Sequence, residues 1–294
     1  MRILFTGSTG FLGKNFLDYV TKQADKDKIE IIPLLTSKEE NGISSYNFKR
    51  AEISDFDILV HAGAFSPKKR EDLNDVQNNI KSIANTQYLL ENLPKIPKKI
   101  IFISSISVYN ANYEGIIDEN TVTDADSLYG LSKLMSERVI IEYARKNNVP
   151  YQILRLGVIY GNNIIYNGVI PTVIKNIVND RALKVYNGGQ EYKNFIHVHD
   201  CCRVMFKALT QQVKDPIINV VSEKSIQIIV LIKKLISDSG KEIFIENSPL
   251  DRNISNTLYN AKVLVENFGK NEIEYDQGLS ESYKFFCEEL RGKR

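Results

Sequence analysis

The sequence has no long hydrophobic run. Its most apolar stretch, Ile226 to Ile236, is broken by Gln227 and by the pair Lys233 and Lys234, and it falls well short of the ~20 residues that cross a bilayer. Membrane association is therefore not expected. The chain begins Met-Arg-Ile-Leu-Phe-Thr-Gly; a secretory leader needs an apolar run of about 7 to 15 residues, so export by that route is not expected either. Cysteine is scarce: Cys201, Cys202 and Cys287 form an odd set without metal-ligand spacing, which fits free or buried thiols in a reducing cytoplasm and supplies no metal site. Neither sign of charge dominates. Lys and Arg number 38 against 36 Asp and Glu, and the basic residues are dispersed, which leaves nucleic-acid binding without an electrostatic footprint. Repeats, low-complexity tracts and Pro/Gly-rich linkers are missing too, so lobes packed together are expected rather than tethered modules.

What remains is a chain of 294 residues, 43% hydrophobic and 25% charged, enough for one large domain or two interleaved ones. Short β-branched runs alternate with helix-patterned segments through its first half, the pattern of strand–helix–strand units on a parallel sheet. Strands are predicted at 3–6, 29–35, 57–64, 99–104 and 151–156. Helices are predicted at 14–22, 74–92 and 128–146, the last with apolar residues Leu131, Leu134, Met135 and Val139. Residues 37–56 are too few and too polar for a further strand, helix and return, so one crossover should be abbreviated. Beyond Gly161 the pattern is less regular, with helices at 170–178, 204–209 and 226–237 and strands at 183–186, 195–198 and 217–221. The expected architecture is α/β: a Rossmann-type doubly wound parallel sheet over residues 1–161, then a smaller C-terminal lobe over 162–294. Residues at about 195–221 are expected to return to the first domain.

Gly7-Ser8-Thr9-Gly10-Phe11-Leu12-Gly13 follows the first strand and precedes the first helix. Glycines there permit a tight turn and close approach of backbone to a pyrophosphate, and the helix N-terminus presents oriented N–H groups. Gly7, Thr9, Gly10, Phe11, Leu12 and Gly13 are thus candidate cofactor residues. At the end of the second strand, where an NAD enzyme commonly places an acid on the ribose 2′-hydroxyl, the chain has Thr36, Ser37 and Lys38. Two hydroxyls and an ammonium suit a 2′-phosphate, so NADP(H) is expected over NAD(H). Glu39 and Glu40 leave an NAD arrangement with a shifted carboxylate open, and the same residues also read as a solvated loop.

Tyr129 and Lys133 stand four residues apart at the start of a helix, on one face. Lowering a phenol from a pKa near ~10 toward ~7 takes about 4 kcal/mol of preferential phenolate stabilisation. A neighbouring ammonium and an oxidised nicotinamide would supply much of it, and Lys133 is long enough to hold the nicotinamide ribose. Alone, such a pair also reads as a partly exposed helix face. The strand from Ile101 runs into Ser104, Ser105 and Ser107 at the carboxyl edge of a parallel sheet, where ligands bind. A serine there can hydrogen-bond a reacting sugar oxygen, or merely cap the strand. Glycine turn, serine strand end and Tyr/Lys helix, in that order, point to one site.

With His61-Ala62-Gly63-Ala64, Asn79, Leu154-Arg155, Tyr160-Gly161 and the run from Lys193 through Phe195 and His197 to Asp200, nearly the whole chain resembles the extended short-chain dehydrogenase/reductase family. The likeness is to its nucleotide-sugar branch of epimerases, dehydratases and 4-ketoreductases. The resemblance implies that Gly7, Gly10 and Gly13 hold the pyrophosphate, that Ala62, Gly63, Ala64 and Asn79 border the cofactor, and that Ser105, Tyr129 and Lys133 form a catalytic triad. It implies a nucleotide-sugar substrate, with Ser107, Val158, Lys193 and Arg252 as candidate contacts, and a homodimer that pairs the helices carrying Asn79 and Tyr129. Lys193 reads equally well as a solvated loop lysine. His197 and His199 alternate along a predicted strand, so they point to opposite faces and read as structural.

Family members differ in reaction. The 4,6-dehydratases carry Asp-Glu directly after the catalytic hydroxyl; Ile106 and Ser107 stand there in this chain and exchange no proton at neutral pH. Epimerase-reductases of the GDP-fucose type place a cysteine where Ser107 stands and a histidine near Gly168, and UDP-hexose 4-epimerases usually have asparagine at Val158 and arginine at Lys193. What remains is NADPH-dependent hydride transfer to C4 of a nucleotide-linked 4-keto-6-deoxyhexose, with Tyr129 as proton donor. A 4-epimerase with tightly bound NAD(P) uses the same triad and is the alternative. A non-catalytic NADP(H)-binding regulator is disfavoured by the retention of Ser105, Tyr129 and Lys133.

Overall fold

Six segments rich in Ile, Val, Leu and Phe pair side by side, all parallel: β1 (Arg2–Thr6), β2 (Glu30–Leu34), β3 (Ile58–His61), β4 (Lys99–Ser105), β5 (Tyr151–Leu156) and β6 (Ile217–Val220). Their order across the sheet is β6-β5-β4-β3-β1-β2. The computed structural model describes residues 1–23, 28–40, 43–46, 53, 55–162, 168–249 and 256–291. Helices α1 (Phe11–Thr21), α2 (Val76–Glu91), α3 (Leu128–Asn147), α4 (Val169–Val178), α5 (Val198–Thr210), α6 (Ile228–Ser239), α7 (Lys262–Phe268) and α8 (Tyr275–Arg291) complete the frame.

Successive residues of a strand point to opposite faces, and a parallel sheet covered by helices on both faces needs both sets apolar. Ile3, Phe5, Val60, Ile103, Leu154 and Ile218 pack against Phe16 of α1, Val204 and Ala208 of α5, and Leu264 and Phe268 of α7. Leu4, Leu59, Phe102 and Ile153 pack the other way, on Leu89 and Leu90 of α2 and Ile140 and Ile141 of α3. Residues 198–220 therefore belong to the same sheet and core as the first strands. A further core of Ile174, Ile177, Val185, Leu231, Leu235 and Leu279 joins α4, α6 and α8.

The chain leaves β1 for β2 on one side and returns to β3 on the other, so the strand order reverses between β1 and β3, the kind of crevice where doubly wound sheets bind ligands. After β2 the described residues form an antiparallel pair, Thr36–Glu40 with Ile43–Tyr46. Among the described residues β2 is thus an edge strand. Its Glu30 N–H donates inward to Met1 O at 3.0 Å, so by alternation Ile31 and Pro33 turn their backbone outward.

Three expectations change. Helix α5 begins at Val198 rather than 204, because the His197 ring accepts the His199 N–H and Asp200 occupies the first turn; His199 is therefore helical and does not alternate with His197 on a strand. Through its first turns the buried face of α3 is polar: Ser132, Lys133, Ser136 and Glu137 point inward, whereas Leu131 and Met135 are 44% and 51% exposed, and only from Ile140 and Ile141 onward is the buried face apolar. Helices α7 and α8 and the strand Ile245–Ser248 lie outside the elements read from sequence. Among the described residues no helix is long and apolar enough to cross a membrane.

Candidate active site

Both ends of the crevice are backbone. Gly7 adopts φ +83°, and a Cβ on it would sit 2.6 Å from the Ala62 carbonyl; one on Gly13 would lie 2.1 Å from the Gly7 oxygen. The turn is therefore pressed between α1 and the end of β3, where Ala62, Gly63 and Ala64 stand half-buried. Gly10 is different: it is the N-cap of α1, no side chain caps that helix, its first turn holds no acid, and a Cβ there would meet only the Gly7 oxygen at 3.4 Å. Open space beside an uncapped helix N-terminus suits a diphosphate. Thr9 is exposed at the tip, and Phe11 and Leu12 open the helix.

Beneath this turn runs a buried hydroxyl–imidazole chain that the sequence reading missed. Thr6 Oγ1 accepts the Gly63 N–H at 3.0 Å and lies 2.7 Å from His61 Nδ1, while His61 Nε2 lies 3.1 Å from Thr86 Oγ1, itself a donor to the Ser82 carbonyl at 3.0 Å. Because the Thr86 hydroxyl gives its proton to the Ser82 carbonyl, its oxygen accepts from Nε2–H, and Nδ1 is left to accept the Thr6 hydroxyl proton. Burial, with some help from the Lys133 charge, pushes His61 down to about 3, so the ring is neutral. His61 lay within a motif read for its small residues, and no spacing pattern linked it to Thr6 and Thr86.

Asn79 is buried; its amide donates to the Asp75 carbonyl at 2.7 Å and accepts from Ser132 Oγ at 3.1 Å, which ties α2 to α3. Its role in the structure is to set the helix that carries Tyr129. Thr36, Ser37 and Lys38 form a strand directly after β2, and their side chains lie outside the described residues, as does Arg252.

The second half of the site sits where β4 ends. Ser105 Oγ accepts the Ser107 N–H at 3.1 Å, stands 3.1 Å from Ser107 Oγ and shares a hydrogen bond with the Tyr129 hydroxyl. Gly130 makes that approach possible, since a Cβ there would lie 2.0 Å from the Ser107 carbonyl oxygen; this glycine, inside the Tyr/Lys motif, carried a signal that went unread. Lys133 Nζ donates to the Ile103 carbonyl at 3.0 Å and lies 5.9 Å from the centre of the Tyr129 ring. Burial pushes Lys133 down to about 8, opposed by Glu137. Desolvation pushes the Tyr129 phenol up to about 12, outweighing the Ser105 bond, and the lowering expected from an oxidised nicotinamide would act against it. At neutral pH the phenol is protonated.

The candidate substrate contacts form two groups. Ser107 adjoins Ser105. Val158, 45% exposed, lies on a short strand, Val158–Tyr160, paired with Phe195–His197, and its N–H donates to the Asn194 carbonyl at 3.2 Å. Lys193 is thereby close by, its side chain 35% exposed and its ammonium 2.6 Å from the Glu191 carboxylate. His199 contacts Glu272 at 3.1 Å, and among the described residues no group of three His, Cys, Asp or Glu could hold a metal.

The model of the family described as NAD dependent epimerase/dehydratase matches residues 3–221. A UDP-N-acetyl-alpha-D-glucosaminuronate decarboxylase of Bacillus cytotoxicus is 25% identical over 98% of this chain and 98% of its own. Among solved structures, the UDP-glucuronic acid 4-epimerase of Bacillus cereus in complex with NAD superposes with a TM-score of 0.80 at 22% identity, covering 98% of this chain and 99% of that one. RMD from Pseudomonas aeruginosa complexed with NADPH gives 0.84 at 19% identity, covering 99% of each chain.

Proposed function

The chain belongs to the NAD-dependent epimerase/dehydratase family, and on that footing we propose that it is an NADPH-dependent reductase acting on C4 of a nucleotide-linked 4-keto-6-deoxyhexose. The observation that carries the reading is the state of Tyr129: a phenol held protonated by burial, bonded to Ser105, on the helix turn that also carries Lys133. A protonated donor at this place suits an alkoxide formed from a ketone better than the deprotonation of an alcohol.

NADP(H), when bound, supplies the hydride. The turn from Gly7 to Gly13 and the N-terminus of α1 would hold its diphosphate, Ala62 to Ala64 would border it, Lys133 would hold the nicotinamide ribose, and Thr36, Ser37 and Lys38 would select the 2′-phosphate. Ser105 and Ser107 orient the sugar carbonyl by hydrogen bonds to O4. Tyr129 then gives its proton to O4 as negative charge gathers there. Ile106 and Ser107 offer no second acid/base couple, which speaks against dehydration. Lys193, Val158 and Arg252 would meet the nucleotide, Lys193 sharing its charge between phosphate and Glu191.

This reading assigns residues 1–161 to cofactor binding and 162–294 to the substrate. It also takes a homodimer as the working form, supported by Val76 and Ile80 on α2 and Leu131 and Met135 on α3, four exposed apolar residues at helical spacing on two packed helices. Free thiols at Cys201, Cys202 and Cys287 fit a cytoplasmic setting.

The test is incubation with C4-deuterated NADPH and a panel of dTDP-, CDP-, GDP- and UDP-4-keto-6-deoxyhexoses. One deuterium should reach C4 of the product with stoichiometric NADP⁺. Tyr129→Phe should keep cofactor affinity and lose about 10²- to 10⁴-fold in turnover. Product formed from a 4-hydroxy sugar at catalytic cofactor levels, without net NADPH oxidation, would make the enzyme a 4-epimerase. Tight cofactor binding with no turnover on any sugar would leave a regulator.

A further inference from the structure

Helix α3 lays two charged side chains, one turn apart, on consecutive residues of β4. Lys133 Nζ donates to the Ile103 carbonyl at 3.0 Å, and Glu137 Oε1 accepts the Ser104 hydroxyl at 2.5 Å; the next residue is Ser105. Both side chains are buried. Glu137 is gripped from β5 as well: Arg155 Nε donates to Oε1 at 3.0 Å and Nη2 to Oε2 at 2.7 Å. The remaining Arg155 nitrogen, Nη1, donates to the Tyr109 hydroxyl at 2.7 Å, which donates to Asn219 Oδ1 at 2.9 Å. Ser104, Arg155 and Asn219 stand in one register row across β4, β5 and β6. A bidentate guanidinium and a serine hydroxyl fix the carboxylate in orientation.

The reaction proposed above uses neither Glu137 nor Arg155. We propose that Glu137, clamped by Arg155 and Ser104, is a positioning residue for the Tyr129 and Lys133 pair: its carboxylate holds Lys133 as an ammonium and pins the turn of α3 that carries both residues against the strand ending in Ser105. The proposal rests on the reading of Lys133 as the ribose-holding cation.

The groups around Lys133 leave Glu137 as its counter-charge. Tyr129 and Glu137 face it from α3, neutral His61 from β3, the Phe102 ring from β4, and Arg155 from β5, whose charge is engaged by the Glu137 carboxylate. Burial drives the ammonium toward neutrality and only Glu137 opposes it, which leaves Lys133 at about 8, within reach of working pH. With the one charge that opposes burial removed, Lys133 falls further toward the neutral amine.

The Lys133 titration can be read directly, in the protein without cofactor, from the ¹³Cε resonance of labelled lysine, assigned by its disappearance in Lys133→Arg. Glu137→Gln should lower the midpoint by about one pH unit, and Glu137→Asp should restore most of it. Because Glu137→Gln strands the buried Arg155 charge and can prevent folding, Glu137→Gln/Arg155→Met removes both charges together and reads the same midpoint. NADPH affinity at pH 8 should fall about fivefold in the folded neutral variant, following the loss of ammonium from one half to about one tenth. An unchanged Lys133 midpoint in a folded variant overturns the proposal. Wild-type NADPH affinity in Lys133→Ala would instead overturn the reading of Lys133 as the cofactor-holding residue, and the resonance midpoint distinguishes the two failures.

Discussion

Two alanine substitutions in the phosphate turn separate what that turn does for the fold from what it does for a ligand. In Gly13→Ala the new methyl would lie 2.1 Å from the Gly7 oxygen and 2.8 Å from Ser8 Cα; both are backbone atoms, so no side chain can swing away. Overpacking of this kind costs roughly 1–3 kcal/mol, against which alanine's better helix propensity returns about 1 kcal/mol. The net loss lowers Tm by roughly 2–4 °C for each kcal/mol in a chain near this size. In Gly10→Ala the backbone, at φ −74° and ψ 172°, already suits alanine. The methyl touches only the Gly7 oxygen at 3.4 Å. A smaller unfolded-state entropy adds about 0.4–1 kcal/mol and the lost N-cap glycine subtracts roughly as much, so Tm should stay close to wild type. The same methyl enters the open space at the head of α1, and NADPH affinity should fall by tenfold or more, about 1.4 kcal/mol. Scanning calorimetry and fluorescence titration with NADPH read the two effects. Wild-type NADPH affinity in Gly10→Ala, or a wild-type Tm in Gly13→Ala, would refute the reasoning.

His61 sits far below its unfolded value of 6.5, at about 3, so the unfolded chain binds the extra proton and stability present above pH 6.5 drains as the pH falls. At pH 5 the loss is about 2 kcal/mol, and denaturant midpoints should show that slope in wild type and a flatter one in His61→Gln; equal slopes would contradict it. Ile80→Lys/Met135→Lys should convert a micromolar dimer to a folded monomer in sedimentation, and a monomeric wild type would remove the α2 and α3 contact from consideration. Lys38→Ala should weaken NADPH several-fold and leave NADH alone; equal NADH and NADPH affinity in the wild type would count against 2′-phosphate selection.

Where burial and local chemistry agree, the sequence was easy to read. β4 is apolar on both faces because helices cover both, so Ile100 to Ile103 announce a central strand, and the glycine turn follows from contacts that any side chain would break. Helix α3 shows the opposite case. Its apolar residues Leu131 and Met135 stay outside, while Ser132, Lys133, Ser136 and Glu137 go in. Partners on β4, β5 and α2 satisfy these buried polar groups, and none of those partners is near in sequence. The upward shift of Tyr129 was hidden for the same reason, since desolvation is a property of the assembled site. Helices α7 and α8 escaped because α7 is only seven residues long and the core positions of α8, Leu279, Tyr283 and Phe286, are set among polar and charged residues.

The edge position of β2 has a consequence for the chain at high concentration. A sheet that stops one strand early presents a flank on which another chain could template, the usual route to edge-to-edge aggregation. Here the outward-facing backbone of β2 includes Pro33, which has no N–H to offer, and the entry to the strand carries Glu30, paired with Arg2 at 2.9 Å. Proline on an edge strand interrupts the ladder a newcomer would need. Among the described residues the sheet can therefore end at β2 without a sticky rim, which leaves the proposed self-association to side chains on α2 and α3.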